Sequence, residues 1–229
     1  ACPSLSLYVG FNESTLAIER SVTRLENVPI AANLRHDTLD QIVTEQWLSD
    51  PNHRHTDPDL DADLPRNELR FLHRLAKHLK QLREQVRGKP EQFNRPDFNF
   101  KLEGVPAHGP TGEESVQLSI RPRGAALDLI VAEAMILANS TWGQWLADLG
   151  VPGLYRSQAS MAPGVKVRMG TRALPHAGIG VPCYAWSTSP LRRYTDLVNQ
   201  WQLVACVQHG NTAALVAPFK PKDASLMSI

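Results

Sequence analysis

Leucine recurs every three or four residues between Pro65 and Gly88, and no other segment of the chain is as regular. A helix turns once in about 3.6 residues, so this spacing gathers the apolar side chains on one face. That face comprises Leu69, Leu72, Leu75, Leu79, Leu82 and Val86. Because such a face is stable only against other apolar surface, we predict a long helix packed on the core of a larger unit.

The remaining surface of this helix is basic. It carries Arg66, Arg70, Arg74, Lys77, Lys80, Arg83 and Arg87. Such a surface could follow a phosphate backbone, but exposed helix faces are usually charged in any case. The spacing leaves both interpretations open.

The rest of the chain predicts an α+β fold, with strands first, helices later and further strands between them. Alternating polar and apolar residues predict strands over residues 5–12, 15–31, 93–104 and 114–124. Helical spacing predicts a short helix capped by Asp37 or Thr38, a long helix over residues 125–150 and another over residues 191–209. Residues 152–182 are rich in glycine and proline, and long irregular stretches of this kind are more often functional.

Composition narrows the class of protein. The 229 residues are 42% hydrophobic and 21% charged, as in an ordinary globular protein with one core or one and a half domains. The net charge of +1 means that any nucleic-acid site is a local patch. No apolar run approaches the roughly 20 residues of a membrane helix, so no membrane partner is expected.

The cysteines and the first residues of the chain lead to two further expectations, about the cell compartment and the domain boundary. Three widely spaced cysteines without a C-x-x-C motif favour neither a disulfide framework nor a zinc site, and they fit the reducing cytoplasm best. The chain begins without Met and directly in strand-like residues, "ACPSLSLYVGF". We therefore expect a cytoplasmic protein, and a chain that begins inside a domain.

An acidic segment, "HRHTDPDLDADLPRNE" over residues 53–68, resembles a calcium loop in part. Counted from Asp57, Glu68 falls at the twelfth position, but Ala62 replaces the required glycine and Pro65 stiffens the loop. We interpret it as a solvated loop that leads into the helix.

Three basic clusters fall on loops or element ends: "RPRG" at 121–124, "KVRMGTR" at 166–172 and "SPLRRY" at 189–194. The planar fork of an arginine matches the oxygens of a phosphate, and a helix N-terminus adds backbone N–H donors. In the third cluster Thr188 or Ser189 could cap a helix whose first turn holds Pro190. The arginines could equally cap the helix or pair with Asp196, so spacing alone leaves the anion site open.

The stretch "YAWSTSPLRRYTDL" resembles the signature Y-T-H-F-T-S-P-I-R-R-Y-x-D-L of the ribonuclease II/ribonuclease R (RNB-domain) family. Three other segments resemble that family in the same order: "VPIAANLRHDTLDQI", "LDLIVAEAMILAN" and "PHAGIGVPCYAW". The resemblance implies RNB-domain-like mixed antiparallel sheets packed with helices. It also implies a hydrolytic 3′→5′ exoribonuclease that degrades single-stranded RNA to nucleoside 5′-monophosphates.

The resemblance assigns roles residue by residue. Arg192 would hold the scissile phosphate and stabilise charge in the transition state, and is the expected catalytic residue. Glu133 would meet the 3′-terminal ribose, and His36 falls where the family often has a stacking aromatic. The remaining residues expected to contact RNA are Arg193, Tyr194, Ser189 and Tyr184.

The sequence also departs from the family. Trp186 and Ser187 replace the usual His-Phe, and Gln200 and Trp201 replace a His-Arg pair. The family's Mg²⁺-binding cluster, D-x-x-x-x-x-D-x-D-D, has no counterpart here. We therefore expect residues 1–229 to be a partial RNB domain, incomplete at its N-terminus, with the Mg²⁺ ligands upstream and no activity of its own. The alternatives are a catalytically inactive RNB-like module that binds RNA or protein, and an unrelated α+β anion-binding protein.

Overall fold

The structure is a computed structural model that describes residues 1–32, 39–50, 52–53, 64–91, 97–121, 124–223 and 226. The strands are β1 (Cys2–Phe11), β2 (Ile18–Val28), β3 (Asp97–Glu103), β4 (Ser115–Arg121), β5 (Tyr155–Ser157) and β6 (Arg168–Gly170). The helices are α1 (Glu45–Ser49), α2 (Arg66–Arg87), α3 (Ala126–Asp148), α4 (Tyr194–His209) and α5 (Ala213–Val216). The predicted α+β class is confirmed.

The described strands form three separate antiparallel pairs, β1 with β2, β3 with β4 and β5 with β6. In the first pair Cys2 lies opposite Val28, and the register continues to Gly10 opposite Arg20 before it shifts at Phe11. The turn is stabilised by Asn12, whose side-chain oxygen accepts from the backbone N–H groups of Ser14 and Thr15. The strands predicted over residues 5–12 and 15–31 are therefore confirmed, and they form one hairpin.

Two apolar clusters hold the helices together. The first joins α1, α2 and α3 and contains Trp47, Leu48, Leu69 and Ile130. The second joins α3 to α4 through Trp142, Leu146, Leu203 and Cys206, with Leu5 and Leu7 of β1 against it. The indole N–H of Trp142 donates to Thr23 Oγ1 at 3.0 Å and so fixes the hairpin on α3.

The apolar face predicted for α2 is only partly correct. Leu69 and Leu75 are buried, but Leu72, Leu82 and Val86 are 40%, 45% and 74% exposed. In the second half of the helix the buried position is instead Arg83. The reason is a partner 50 residues away: Glu133 of α3 pairs with Arg83, which turns this face of α2 towards α3.

The start of α4 also differs from the prediction. The helix begins at Tyr194 with Arg193 as its N-cap, and neither Thr188 nor Ser189 caps it. The Ser189 carbonyl instead accepts from the N–H groups of Arg192 and Arg193, which makes a separate turn. The predicted end at His209 is confirmed. Asp37 and Thr38, predicted to cap the first helix, lie outside the described residues, and the N-cap of α1 is Thr44.

The β3–β4 hairpin presents an apolar surface to solvent. Its cross-strand pairs on that face are Phe98–Ile120, Phe100–Leu118 and Leu102–Val116, each side chain at least 45% exposed. Within the described residues, no helix is both long and apolar enough to cross a membrane.

Candidate functional site

A cavity of about 960 Å³ lies between α2, α3 and the turn before α4. Arg192 and Glu133, which the sequence singled out separately, both line it. Charged side chains of both signs surround it: Glu45, Lys77, Lys80, Arg83, Glu84, Glu91, Asp128, Glu133 and Arg192. Five of these groups are acidic and four are basic, so the lining as a whole does not fix the charge of a ligand, and Arg192 is the basic group at the turn before α4.

At one wall of the cavity Arg83 and Glu133 form a buried ion pair. Arg83 Nε donates to Glu133 Oε2 at 2.9 Å, and Arg83 Nη2 donates to Glu133 Oε1. The two residues are 7% and 2% exposed. Burial by itself lowers the pKa of Arg83, but its hydrogen bonds and attraction to Glu133 outweigh burial and raise it. Arg83 therefore stays charged, and Glu133 is fixed rather than free.

The same arginine fastens the irregular stretch to α2. Arg83 Nη1 donates to the Ile179 carbonyl at 2.6 Å. The next residue, Gly180, has φ 81°, and a Cβ there would lie 2.4 Å from the Arg83 carbonyl oxygen. Only glycine allows this approach. The sequence analysis placed Arg83 on a basic helix surface and missed this role, because nothing near it in sequence signals the partner.

The turn over residues 189–193 is organised by Asp196, which is fully buried. Its Oδ1 accepts from the Ser189 backbone N–H at 2.8 Å, and both carboxylate oxygens accept from Arg193 at 2.7 Å. The pairing with Asp196 that spacing left open is thus made by Arg193. Arg192 is exposed, and its guanidinium makes no hydrogen bond or ion pair within the described part of the chain.

Two buried asparagines hold the segment over residues 184–188. Asn139 Oδ1 accepts from the Ser187 N–H at 2.8 Å, and its Nδ2 donates to the Tyr184 hydroxyl at 3.2 Å. Asn199 Nδ2 donates to the Trp186 carbonyl at 2.8 Å and to the Leu154 carbonyl at 2.9 Å. This clamp holds the backbone that leads to Arg192 at a defined place, and the sequence analysis did not foresee it.

Two arginine guanidiniums lie over the ring of Trp186 in cation–π contacts. The guanidinium carbon of Arg156 lies 4.1 Å from the ring centroid, and that of Arg193 lies 4.4 Å from it. Burial lowers the pKa of Arg156, Tyr184 opposes that shift, and the nearby charge of Arg193 adds to it. Trp186 is the residue that replaces the histidine of the resembled signature.

The other predicted residues are dispersed. Tyr184 is 8% exposed and packs edge-on against His176, with centroids 6.0 Å apart. Tyr194 is 54% exposed, and Ser189 contributes its backbone groups to the turn. His36 lies outside the described residues. The structure thus places Arg192 and Glu133 at one cavity, but does not place Tyr184 there.

The family's Mg²⁺ does not fit the side chains seen here. Among the described residues, no three His, Cys, Asp or Glu side chains converge as a metal site requires. The Glu133 carboxylate, the most buried acid of the cavity, already accepts two bonds from Arg83.

The chain is similar to known proteins over most of its length. Residues 30–165 and 160–209 match the RNB domain family. A Synechocystis protein named as an uncharacterized ribonuclease is 32% identical over 115 residues, which are 41% of this chain and 17% of that protein.

Solved structures share the fold. The Dss1 exoribonuclease of Candida glabrata, solved as an active-site mutant, is similar with a TM-score of 0.61 at 18% identity, over 96% of this chain and 31% of that one. The apo RNase R of Mycoplasma genitalium gives a TM-score of 0.60 at 14% identity, over 89% and 36% of the two chains. Its complex with double-stranded RNA gives 0.50 at 16% identity, over 76% and 36%.

The chain spans about a third of the length of these two exoribonucleases and about a sixth of the curated relative. The family match itself covers well over half of this chain and includes both the Arg83–Glu133 helices and the Arg192 turn. The chain therefore belongs to the RNB domain family.

Proposed function

We propose that this chain supplies the RNA channel and the phosphate-clamping arginine of a hydrolytic 3′→5′ exoribonuclease that releases nucleoside 5′-monophosphates from single-stranded RNA. Family membership and the likeness to two exoribonucleases support a nuclease. The observation that carries the proposal is Arg192, an exposed guanidinium at the mouth of an ionic cavity with no carboxylate partner in the described residues.

Arg192 can act on a phosphodiester through charge and geometry alone. Its planar fork can donate two parallel N–H bonds to the oxygens that gain charge in the transition state. Phosphoryl transfer depends mainly on positioning and electrostatic stabilisation. The neighbouring Arg193 cannot do this as well, because Asp196 already holds two of its N–H groups.

The contact of Glu133 with the 3′-terminal ribose stays a prediction. Arg83 limits it, because Arg83 already bonds to the Glu133 carboxylate. Each carboxylate oxygen has two lone pairs, of which Arg83 occupies one, so each oxygen could still accept from a hydroxyl. At 2% exposure, the carboxylate meets a ribose only if the cavity opens towards it. The Arg83–Glu133 ion pair is therefore better evidence for a rigid cavity wall than for a contact with ribose.

The Mg²⁺ of the proposed reaction would be held by ligands outside the residues that the structure describes. When bound, the metal would lower the pKa of the attacking water and so activate it as a nucleophile. Every role that we assign to this chain is independent of it: Arg192 binds phosphate, and Arg83, Asn139 and Asp196 position the backbone around the cavity.

The test is the direction and the product of RNA cleavage by the full-length protein that contains this chain. With Mg²⁺ and 5′-labelled oligo(A), we expect shortening by one nucleotide at a time from the 3′ end and release of AMP. A matched oligo(dA) should resist. The 229-residue chain alone should bind oligo(A) without cleaving it.

Two results would contradict the proposal. Internal cleavage by the full-length protein would exclude an exonuclease. Tight binding of oligo(A) by the full-length protein, without any cleavage in Mg²⁺, would instead establish the alternative of an inactive RNA-binding module.

A further inference from the structure

Arg156 is a half-buried cation without a described acidic partner. Its guanidinium lies against Trp186, and within the described residues it makes no hydrogen bond or ion pair with a carboxylate. Half-buried charges normally pair with an opposite charge, because removing them from water is costly. An arginine left without such a partner, close to a second arginine, is a natural place for an anion.

The position of Arg156 is fixed by a series of contacts that begins at the buried carboxylate of Asp196. Asp196 holds the Arg193 guanidinium with two bonds of 2.7 Å. Arg193 lies on the Trp186 ring, and Arg156 lies on the same ring at 4.1 Å from its centroid. The Trp186 carbonyl is in turn held by Asn199. Each of these contacts restricts the conformations of the next side chain, so the Arg156 guanidinium is held in place before a ligand binds.

Arg156 and Arg193 both lie on the Trp186 ring, but only Arg193 has a carboxylate partner, Asp196. Asp196 neutralises Arg193, which leaves the charge of Arg156 without compensation among the described side chains. Burial lowers the pKa of Arg156, Tyr184 opposes that shift, and the charge of Arg193 adds to it. Tryptophan is the ring that binds a cation best, and it can hold a guanidinium flat while leaving its edge N–H groups free.

The backbone connects the Arg156–Trp186–Arg193 stack to Arg192. Arg192 is adjacent in sequence to Arg193, whose guanidinium shares the Trp186 ring with Arg156. Arg156 is the central residue of β5, and its N–H donates to the Tyr184 carbonyl at 2.8 Å, which ties that strand to the signature segment. The Arg192 backbone is therefore one residue from a side chain that shares a ring with Arg156, while Arg156 itself lies outside the cavity lining.

We infer that Arg156, held on Trp186, binds a second backbone phosphate of single-stranded RNA, next to the phosphate that Arg192 holds. The inference rests on the proposed function and adds a binding residue to it. Arg156 contributes uniform binding of the strand, whereas Arg192 acts on the reacting phosphate.

The test is the salt dependence of RNA binding by the 229-residue chain. Each phosphate contact with a single strand contributes about 0.7 to the slope of log K against log salt. Fluorescence anisotropy with labelled oligo(A), from about 50 to 200 mM salt, measures that slope. We expect R156Q to bind several-fold more weakly at the low-salt end and to lose about 0.7 of the slope.

The matched control is R24Q. Arg24 also lies on an aromatic ring, at 5.1 Å from the centroid of Tyr8, but on the N-terminal hairpin rather than beside Trp186 and Arg193. R24Q removes the same charge and the same kind of ring contact, and it should leave the slope unchanged. R156K keeps the charge and should keep the slope, while it loses part of the affinity because lysine lacks the planar fork.

The double variant R156Q/R192Q shows whether two phosphates are bound. Two separate contacts predict a slope loss of about 1.4, twice that of either single variant. Thermal unfolding followed by circular dichroism should show that the single variants stay folded at the assay temperature.

Three results would overturn the inference. A wild-type slope in R156Q would show that Arg156 meets no phosphate, and the proposed function would stand without it. A slope lost in R156K as fully as in R156Q would show that the stacked shape matters and not the charge. Failure of the wild-type chain to bind oligo(A) at all would contradict the proposed function itself, and the inference with it.

Discussion

Asn139 and Asn199 are 1% and 0% exposed, and each bonds to the backbone of the segment that leads to Arg192. Buried amides of this kind fix a loop without needing a counter-charge, because they can donate and accept at once. Asp196 does the same for the following turn. The site is therefore held by polar side chains that face inward, and Arg192 remains the one arginine of the signature that faces solvent unpaired in the described structure.

Breaking the Arg83–Glu133 pair should be costly. R83M leaves the Glu133 carboxylate buried without its partner, and such changes typically cost about 3–5 kcal/mol of unfolding free energy. The double variant R83M/E133L removes both charges and should recover most of that loss. Urea denaturation of the two variants measures the difference.

The control for this pair is the exposed arginine at position 24. R24M should change the unfolding free energy by less than about 0.5 kcal/mol, as surface substitutions usually do. If R83M proved as mild as R24M, the pair would contribute nothing to stability, and its role as a rigid wall would be wrong.

Single residues also show how far the sequence can be interpreted. Arg192 and Glu133 were found because they lie in motifs, and the structure places both at one cavity. Arg83 and Arg156 lie among other basic residues and carry no local signal. Their roles depend on Glu133 and Trp186, which are distant in sequence, so pattern reasoning could not identify them.

At the level of elements, β1 to β4 and the long helix α3 follow from alternation, helical spacing and the glycine at 150. The short strands β5 and β6 lie in the stretch predicted to be irregular, and each has only three residues, too few for an alternating pattern. The start of α4 was missed, because Asp196 organises the turn before the helix from within its first turn. The second half of α2 was misjudged for a similar reason. Local pattern predicts that an element exists, and distant partners decide which of its faces is buried.

The β3–β4 hairpin should tolerate truncation that the helical core does not. Phe100 is 72% exposed, so F100A should cost less than about 0.5 kcal/mol of unfolding free energy. Leu146 is fully buried between α3 and α4, and L146A should cost about 2–5 kcal/mol. Urea denaturation of the two variants gives both values. A cost for F100A comparable with that of L146A would mean that the apolar hairpin face is covered in solution.

For the whole molecule, two buried histidines make stability depend on pH. Burial lowers the pKa of His73, where Lys77 adds to the effect and Glu45 opposes it. Burial also lowers the pKa of His176, and Arg156 adds to the effect there. In the unfolded chain a histidine titrates near pH 6.5, so below that pH the unfolded state binds more protons. The unfolding free energy should therefore be highest above about pH 6.5 and fall as the pH drops below it.

Urea denaturation between about pH 7.5 and pH 5 measures this dependence. H176Q should remove part of it and leave the part due to His73. H209Q changes an exposed histidine at the end of α4 and should leave the dependence intact. A profile for H176Q that matches the wild type would show that His176 does not contribute.

The chain as a whole presents a cavity between helices that are far apart in sequence, with Arg192 of the turn before α4 in its lining. The central claim is that Arg192 acts on the reacting phosphate. The most direct measurement is single-turnover cleavage of oligo(A) by the full-length protein carrying R192A, alongside the Kd for the same RNA. We expect the rate to fall by about 10³-fold or more, while Kd rises by about tenfold or less, with R192K intermediate because it keeps the charge without the fork. Equal losses in rate and in affinity would contradict the claim and make Arg192 a binding residue alone.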